Sequence, residues 1–239
     1  AYAATGAEYP TTHFKDTRVN GNEFWNMPTG MHLSSTTGGT QVIGNLFRNI
    51  THTGISMNAN SLITYQDSFV ITKNTFRNFS GSLGTYPNNY YNAIHIAIDG
   101  FSSKKGLIAN NMIHTTSAGY AIACSGNVDV VYNNILAVNN NTPISIPATI
   151  NSFKNNIIQT RTSTYSGSSL GLGAGTNINW DYNTYYQTNL TGVEHTNAKN
   201  NFNTYKAGGK EPNTIFADPR YYADTNLHVN QLALMGTGT

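Results

Sequence analysis

One short unit recurs along this chain and limits its fold more than any other feature. The unit is an apolar residue, two unrestricted positions, an asparagine, one further position and a second apolar residue. Val19-Asn20-Gly21-Asn22-Glu23-Phe24-Trp25-Asn26-Met27 aligns with Val42-Ile43-Gly44-Asn45-Leu46-Phe47-Arg48-Asn49-Ile50. Five more copies follow, at 71–76 around Asn74, 108–113 around Asn111, 131–136 around Asn134, 153–158 around Asn156 and 180–185 around Asn183. The anchors Asn22, Asn45, Asn74, Asn111, Asn134, Asn156 and Asn183 are separated by 23, 29, 37, 23, 22 and 27 residues. A base period of 22 to 23 with occasional insertions is the mark of a solenoid.

A second strand signal follows each anchor. Gly54-Ile55-Ser56-Met57, Ala93-Ile94-His95-Ile96-Ala97-Ile98, Tyr120-Ala121-Ile122-Ala123-Cys124, Pro143-Ile144-Ser145-Ile146 and Leu170-Gly171-Leu172 alternate with the period of two that marks one buried face. The leucine ladder of a leucine-rich repeat is missing. The expected fold is therefore all-β, a right-handed parallel β-helix of about seven coils. Its coils span 19–187, with 1–18 as a lead-in or N-terminal cap and 188–239 as a loop-rich closing segment. The anchor asparagine suits a tight left-handed corner, and its amide bonds to copies of itself above and below. Asn110, Asn133 and Asn155 stand one position earlier and suggest a second short ladder.

Composition agrees with stacked strands and narrows the partners. Only 10% of residues are charged, so solubility rests on amides and hydroxyls that stack without repulsion. A net charge of +2, with scattered Lys and Arg, gives no basic stripe for a nucleic acid. Without an apolar run of about 18 residues, membrane insertion is not expected. Residues 1–10 lack the basic start and apolar run of a signal peptide, so the first residue reads as a cut or boundary. The single cysteine, Cys124, alternates within a strand and reads as a small buried apolar residue.

The Asn-x-apolar coils and the tail together resemble right-handed parallel β-helix repeat proteins, in particular modules of very large secreted proteins of Bacteroidota. In the tail, Phe216-Ala217-Asp218-Pro219, Asn226-Leu227-His228-Val229 and Gly236-Thr237-Gly238 resemble a closing segment. Gln231-Leu232-Ala233-Leu234 stands where such modules often carry a Ser-Pro-Ala element. The resemblance implies export to the cell surface or medium, often by the type IX route, and it fixes no activity. The fold serves lyases, epimerases, glycoside hydrolases, tailspikes and adhesins alike, so function has to come from a site.

A hydrolase on this scaffold needs paired carboxylates facing one groove. Glu23, Asp67, Asp99, Asp129 and Asp181 fall in different registers, and the seven histidines lack metal-ligand spacing, so no cofactor or metal is expected. The longest interval, Asn74 to Asn111, must loop out at 80–91 and 100–106. Those loops flank His95 and Asp99 and bring Tyr86, Tyr90, Tyr91, Lys104 and Lys105 toward one patch suited to a glycan or protein. Were the chain a lyase, epimerase or hydrolase, His95 would be its centre, with Tyr90 or Tyr91, Lys104 and Arg77 in support. A second stripe, Trp25, Arg48, Arg77 and His114, lies three positions after successive anchors and would attract an anionic polymer. Isolated cations more often only keep a surface soluble. Four matches to the N-glycosylation pattern, at Asn49, Asn78, Asn140 and Asn189, are expected by chance in a chain this rich in Asn and Thr.

Three functions follow as expectations. The first is a non-catalytic structural or adhesive module of a secreted or surface protein, meeting glycans and neighbouring modules of its own polypeptide. The second is the polysaccharide-acting enzyme. The third is a cargo or filament subunit of a secretion or gliding apparatus, partnered by other apparatus proteins.

Overall fold

The computed structural model describes residues 14–34, 36–37, 39–58, 68–80, 92–97, 106–116, 119–139, 143–146, 150–162, 179–188, 193–209 and 211–230. Among these residues the chain winds as a parallel β-helix with three long sheets of seven, eight and five strands. One coil illustrates the path. Thr40–Ile43 lies in the seven-stranded sheet, Leu46–Arg48 in the eight-stranded sheet and Thr53–Asn58 in the five-stranded sheet. Each strand pairs in parallel with its counterparts in the coils before and after, as Val42 does with Val19 and Ile71. The fold expected from the repeat is the fold observed.

Alternation decides what points inward. In the seven-stranded sheet Val42, Ile71, Ile108, Val130 and Phe153 are stacked in register and fully buried. In the eight-stranded sheet Phe24, Phe47 and Phe76 stack face to face with centroids 4.9 and 4.7 Å apart. Each such side chain contributes roughly 1.5–3 kcal/mol of burial. The aromatic column needs room on the opposite wall. Gly54 provides it: a Cβ there would lie 2.4 Å from the Ala93 carbonyl oxygen and 2.5 Å from the Phe76 ring.

The corner between the seven- and eight-stranded sheets is built from two adjacent residues with separate tasks. The first takes the left-handed conformation, at Gly21, Gly44, Lys73, Asn110, Tyr132, Asn155 and Tyr182. The second is the ladder asparagine, whose own backbone is not left-handed. The expectation that the anchor itself adopts that conformation is thus corrected by one position. For an L residue with a side chain the left-handed state costs about 1–2 kcal/mol, least for Asn. Glycine and asparagine fill four of the seven positions accordingly, whereas Lys73, Tyr132 and Tyr182 do not follow that preference.

The ladder consists of Asn22, Asn45, Asn74, Asn111, Asn133, Asn156 and Asn183. Asn133 therefore replaces Asn134 of the sequence reading. Asn134 opens the next strand and donates from Nδ2 to the Leu227 carbonyl, 2.7 Å away. Nor do Asn110, Asn133 and Asn155 form a second ladder, because Tyr132 stands between Asn110 and Asn155 at the left-handed position. The second ladder lies at the far end of the eight-stranded sheet. There Asn49 Nδ2 donates to Asn26 Oδ1 at 2.9 Å and Asn78 Nδ2 to Asn49 Oδ1 at 3.4 Å, all three exposed and left-handed.

Every inner amide repeats one bonding set. Asn74 donates from its backbone N–H and from Nδ2 to Asn111 Oδ1, each at 3.0 Å, and its second Nδ2 hydrogen goes to the Val42 carbonyl at 2.9 Å. All donation from one ladder asparagine to the next runs toward the C-terminal end. Aligned amide dipoles reinforce one another, so that end presents uncompensated donors. Asn183 discharges them onto Thr214 Oγ1, 3.0 Å from its N–H, and Glu211 Oε2, 2.9 Å from its Nδ2. Glu211 is buried and also accepts from Thr214 Oγ1 at 2.8 Å, Tyr205 Oη at 2.7 Å and Tyr185 Oη at 3.2 Å. A carboxylate at the donor end of a dipole column is the same complement that acidic residues provide at a helix N-terminus.

The closing segment carries more regular structure than the sequence indicated. A helix, Val193–Ala207, occupies most of a stretch read as loop, and it seats Ala198 and Phe202 against the end of the core. Ile215–Phe216 then adds a further strand to the eight-stranded sheet, beyond position 187. Tyr221–Ala223 and Asn226–Val229 form an antiparallel hairpin that folds back against the outside of that sheet.

Candidate functional site

The outer face of the eight-stranded sheet carries the stripe singled out by sequence. Trp25, Arg48 and Arg77 are register partners on three successive strands, and His114 follows on the fourth. Along strands about 4.8 Å apart, this places one large side chain per coil on a straight outward row. Trp25 is 56% exposed. The Arg48 guanidinium lies 5.5 Å from the Trp25 ring centroid and 2.6 Å from Glu23 Oε1. The ring and the carboxylate thus fix the guanidinium in a solvent-facing position, leaving an aromatic face and the Arg77 cation alongside. Such a pair in water contributes little to stability, so its chemistry is directed outward.

The same row continues beneath the hairpin. His114 is only 6% exposed although it points away from the core. The hairpin is held by Arg161, which donates from Nη1 and Nη2 to the two Asp224 carboxylate oxygens at 2.9 Å each. It is held also by Tyr221, whose hydroxyl is 3.2 Å from the carbonyls of Ile135 and Ile157. Burial lowers the His114 pKa, with Asp224 opposing that shift and Arg161 adding to it. Hydrogen bonding to Arg161 holds the Asp224 carboxyl below its usual range, against a smaller opposing effect of burial. Two halves of one face are therefore distinct: 25–77 open, and 114 onward covered.

His95 stands elsewhere. It lies on the outer side of the five-stranded sheet, in register with Ser56 and Ala123, while Ile94 and Ile96 face the core. It is 6% exposed, and burial, then the nearby His32, brings its pKa down to about 4. The imidazole is neutral at neutral pH. Arg77, named as its support, belongs to the eight-stranded sheet, so the two residues sit on different walls of the coil. Tyr86, Tyr90, Tyr91, Asp99, Lys104 and Lys105, and Asp67 with them, lie outside the described residues.

The remaining acids and the thiol have evident structural tasks. Asp181 accepts from the N–H groups of Tyr182 and Asn213, each at 2.8 Å, and from Asn213 Nδ2 at 2.7 Å. Asp129 accepts from Asn151 Nδ2. Cys124 faces the core beside Ile96, and burial pushes its thiol up to about 12. Among the described residues no three or more His, Cys, Asp or Glu gather as a metal-binding group, and no helix is long and apolar enough to cross a membrane. The Glu211 centre escaped the sequence reading. Its only signal there is an acid between a lysine and a proline, Lys210-Glu211-Pro212. No protein-family model, curated protein or solved structure matches this chain.

Proposed function

We propose that this chain is a structural and adhesive module of a larger secreted or cell-surface protein of the Bacteroidota type, holding an acidic glycan on the open face of its eight-stranded sheet. The observation that supports this reading is the row of exposed Trp25 and half-buried Arg48 and Arg77 on the outer side of a rigid wall, with one side chain per coil. A flat aromatic face takes a sugar ring and guanidinium groups take carboxylates or sulfates. The ladder keeps that row straight without any contribution from the ligand, which lowers the ordering cost of binding.

Affinity electrophoresis of the purified chain through gels containing polygalacturonate tests the reading. Retardation that disappears in the Arg48→Ala/Arg77→Ala double variant and in high salt is the expected result. Migration unaffected by the polymer would sink the proposal. Appearance of new unsaturated or reducing ends would instead identify a polysaccharide-acting enzyme.

A further inference from the structure

The left-handed corner preceding the ladder holds residues that the corner does not need. Where the backbone turns at positive φ, the chain uses Gly21, Gly44, Asn110 and Asn155, residues suited to the conformation. Lys73, Tyr132 and Tyr182 take it instead, at φ of 57°, 60° and 58°, and the last two are the aromatic ones. A bulky side chain there is an outlier, and strain of this kind gathers at functional positions. Packing does not account for Tyr132, which is 47% exposed.

The two tyrosines are separated by one coil, that of Asn155. Corner residues pair from coil to coil, with Tyr132 N–H donating to the Lys154 carbonyl at 3.2 Å and Asn155 N–H to the Asp181 carbonyl at 3.4 Å. Two coil rises separate Tyr132 from Tyr182 by roughly 10 Å along the axis. Alternate rings of an extended 1,4-linked pyranose chain, which present the same face, recur at a comparable interval. Tyr182 is partly buried. A second exposed aromatic, Tyr222 at 61%, sits on the hairpin whose Tyr221 grips the carbonyls of Ile135 and Ile157, in strands leaving this corner. The nearby Asp181 carboxylate is already occupied by Tyr182 and Asn213. Ring stacking is thus the interaction on offer.

We infer that Tyr132 and Tyr182 form a second glycan site, taking an extended, uncharged 1,4-linked polysaccharide that lies along the solenoid axis with alternate sugar rings on the two phenol faces. The site shares no residue with the Trp25 row, so either can fail alone.

The test uses Tyr132→Asn, Tyr182→Asn and the double variant, with hydroxyethylcellulose and glucomannan as probes in affinity electrophoresis, and thermal unfolding in parallel. Asparagine suits the left-handed corner, so the variants are expected to unfold at the same temperature as the wild type or higher. The double variant should lose at least tenfold in affinity for the neutral polymer that retards the wild type. Its binding to polygalacturonate should stay unchanged. The inference is overturned if neither neutral polymer retards the wild type, or if the double variant keeps its affinity. A Tm lowered by several degrees would also overturn it, because the tyrosines would then be corner packing. Retardation by polygalacturonate alone would reject this site and leave the acidic-glycan reading standing.

Discussion

Two rows of asparagine run along this solenoid, both bonded amide to amide across coils, and their surroundings separate them. The inner row, from Asn22 to Asn183, is buried over most of its length, and each amide from Asn45 onward also binds a backbone carbonyl of the preceding coil. The outer row, Asn26, Asn49 and Asn78, faces water at the opposite edge of the same sheet. Water replaces a lost partner on the outside and nothing replaces it on the inside. Hydrogen bonds between the same groups therefore differ greatly in what their loss costs.

Removing Asn111 should have the largest effect. Asn111→Ala strips partners from Asn74 N–H, Asn74 Nδ2 and the Ile71 carbonyl, and leaves Asn133 Oδ1 with only the backbone N–H of residue 111, all buried. At about 1–3 kcal/mol each, the loss is on the order of 4 kcal/mol or more, a large part of a typical domain's stability. Urea unfolding of Asn111→Ala beside Asn49→Ala breaks the comparison if the outer variant loses more than about 0.5 kcal/mol. Next in size is the terminator. Glu211→Gln turns an acceptor of four hydrogen bonds into a group that donates at one end, with an expected loss of roughly 3 kcal/mol by the same measurement.

Histidines sharpen the role of burial. His95 and His114 point away from the core yet are buried, and burial is the largest cause lowering the pKa of each. A histidine kept neutral in the folded state contributes its full stability above its unfolded pKa, near 6.5. That stability drains as pH falls toward the folded value, about 4 for His95. Acid titration of Tm should therefore show a fall between pH 6.5 and 4, worth about 2–3 kcal/mol, that flattens in His95→Gln. A smaller effect is expected from the pair that fastens the hairpin. Arg161→Ala should cost no more than about 1 kcal/mol, since both partners are partly exposed, and should speed hydrogen exchange in 221–229 alone.

Much of this architecture was legible because every coil repeats the same demand. Apolar residues three before and two after each anchor face the interior, so the period and the three-sheet path follow from spacing. The misplacement at Asn134 has a plain physical source. Val130 and Val131 before it, and Ile135 and Leu136 after it, satisfy the apolar pattern for either Asn133 or Asn134. Tyr132 at the left-handed position also removed the clue that glycine gives at Gly21 and Gly44. The helix Val193–Ala207 gives little periodic signal because, among its residues with described burial, Ala198 and Phe202 alone are buried, in a segment rich in Asn and Thr of low helix propensity. No local pattern announces Glu211, whose four partners come from three separated parts of the chain.

The adjacent pair at the fifth coil offers the most direct test of the column. Asn133→Ala and Asn134→Ala remove identical groups one residue apart, and both can be followed by urea midpoint. Asn133→Ala is expected to lose several kcal/mol, since its amide has four buried bonds. Asn134→Ala should lose only about 1 kcal/mol with its single bond to Leu227. Equal losses, or a larger one at Asn134, would contradict a ladder that passes through Asn133 and with it the register of the whole solenoid.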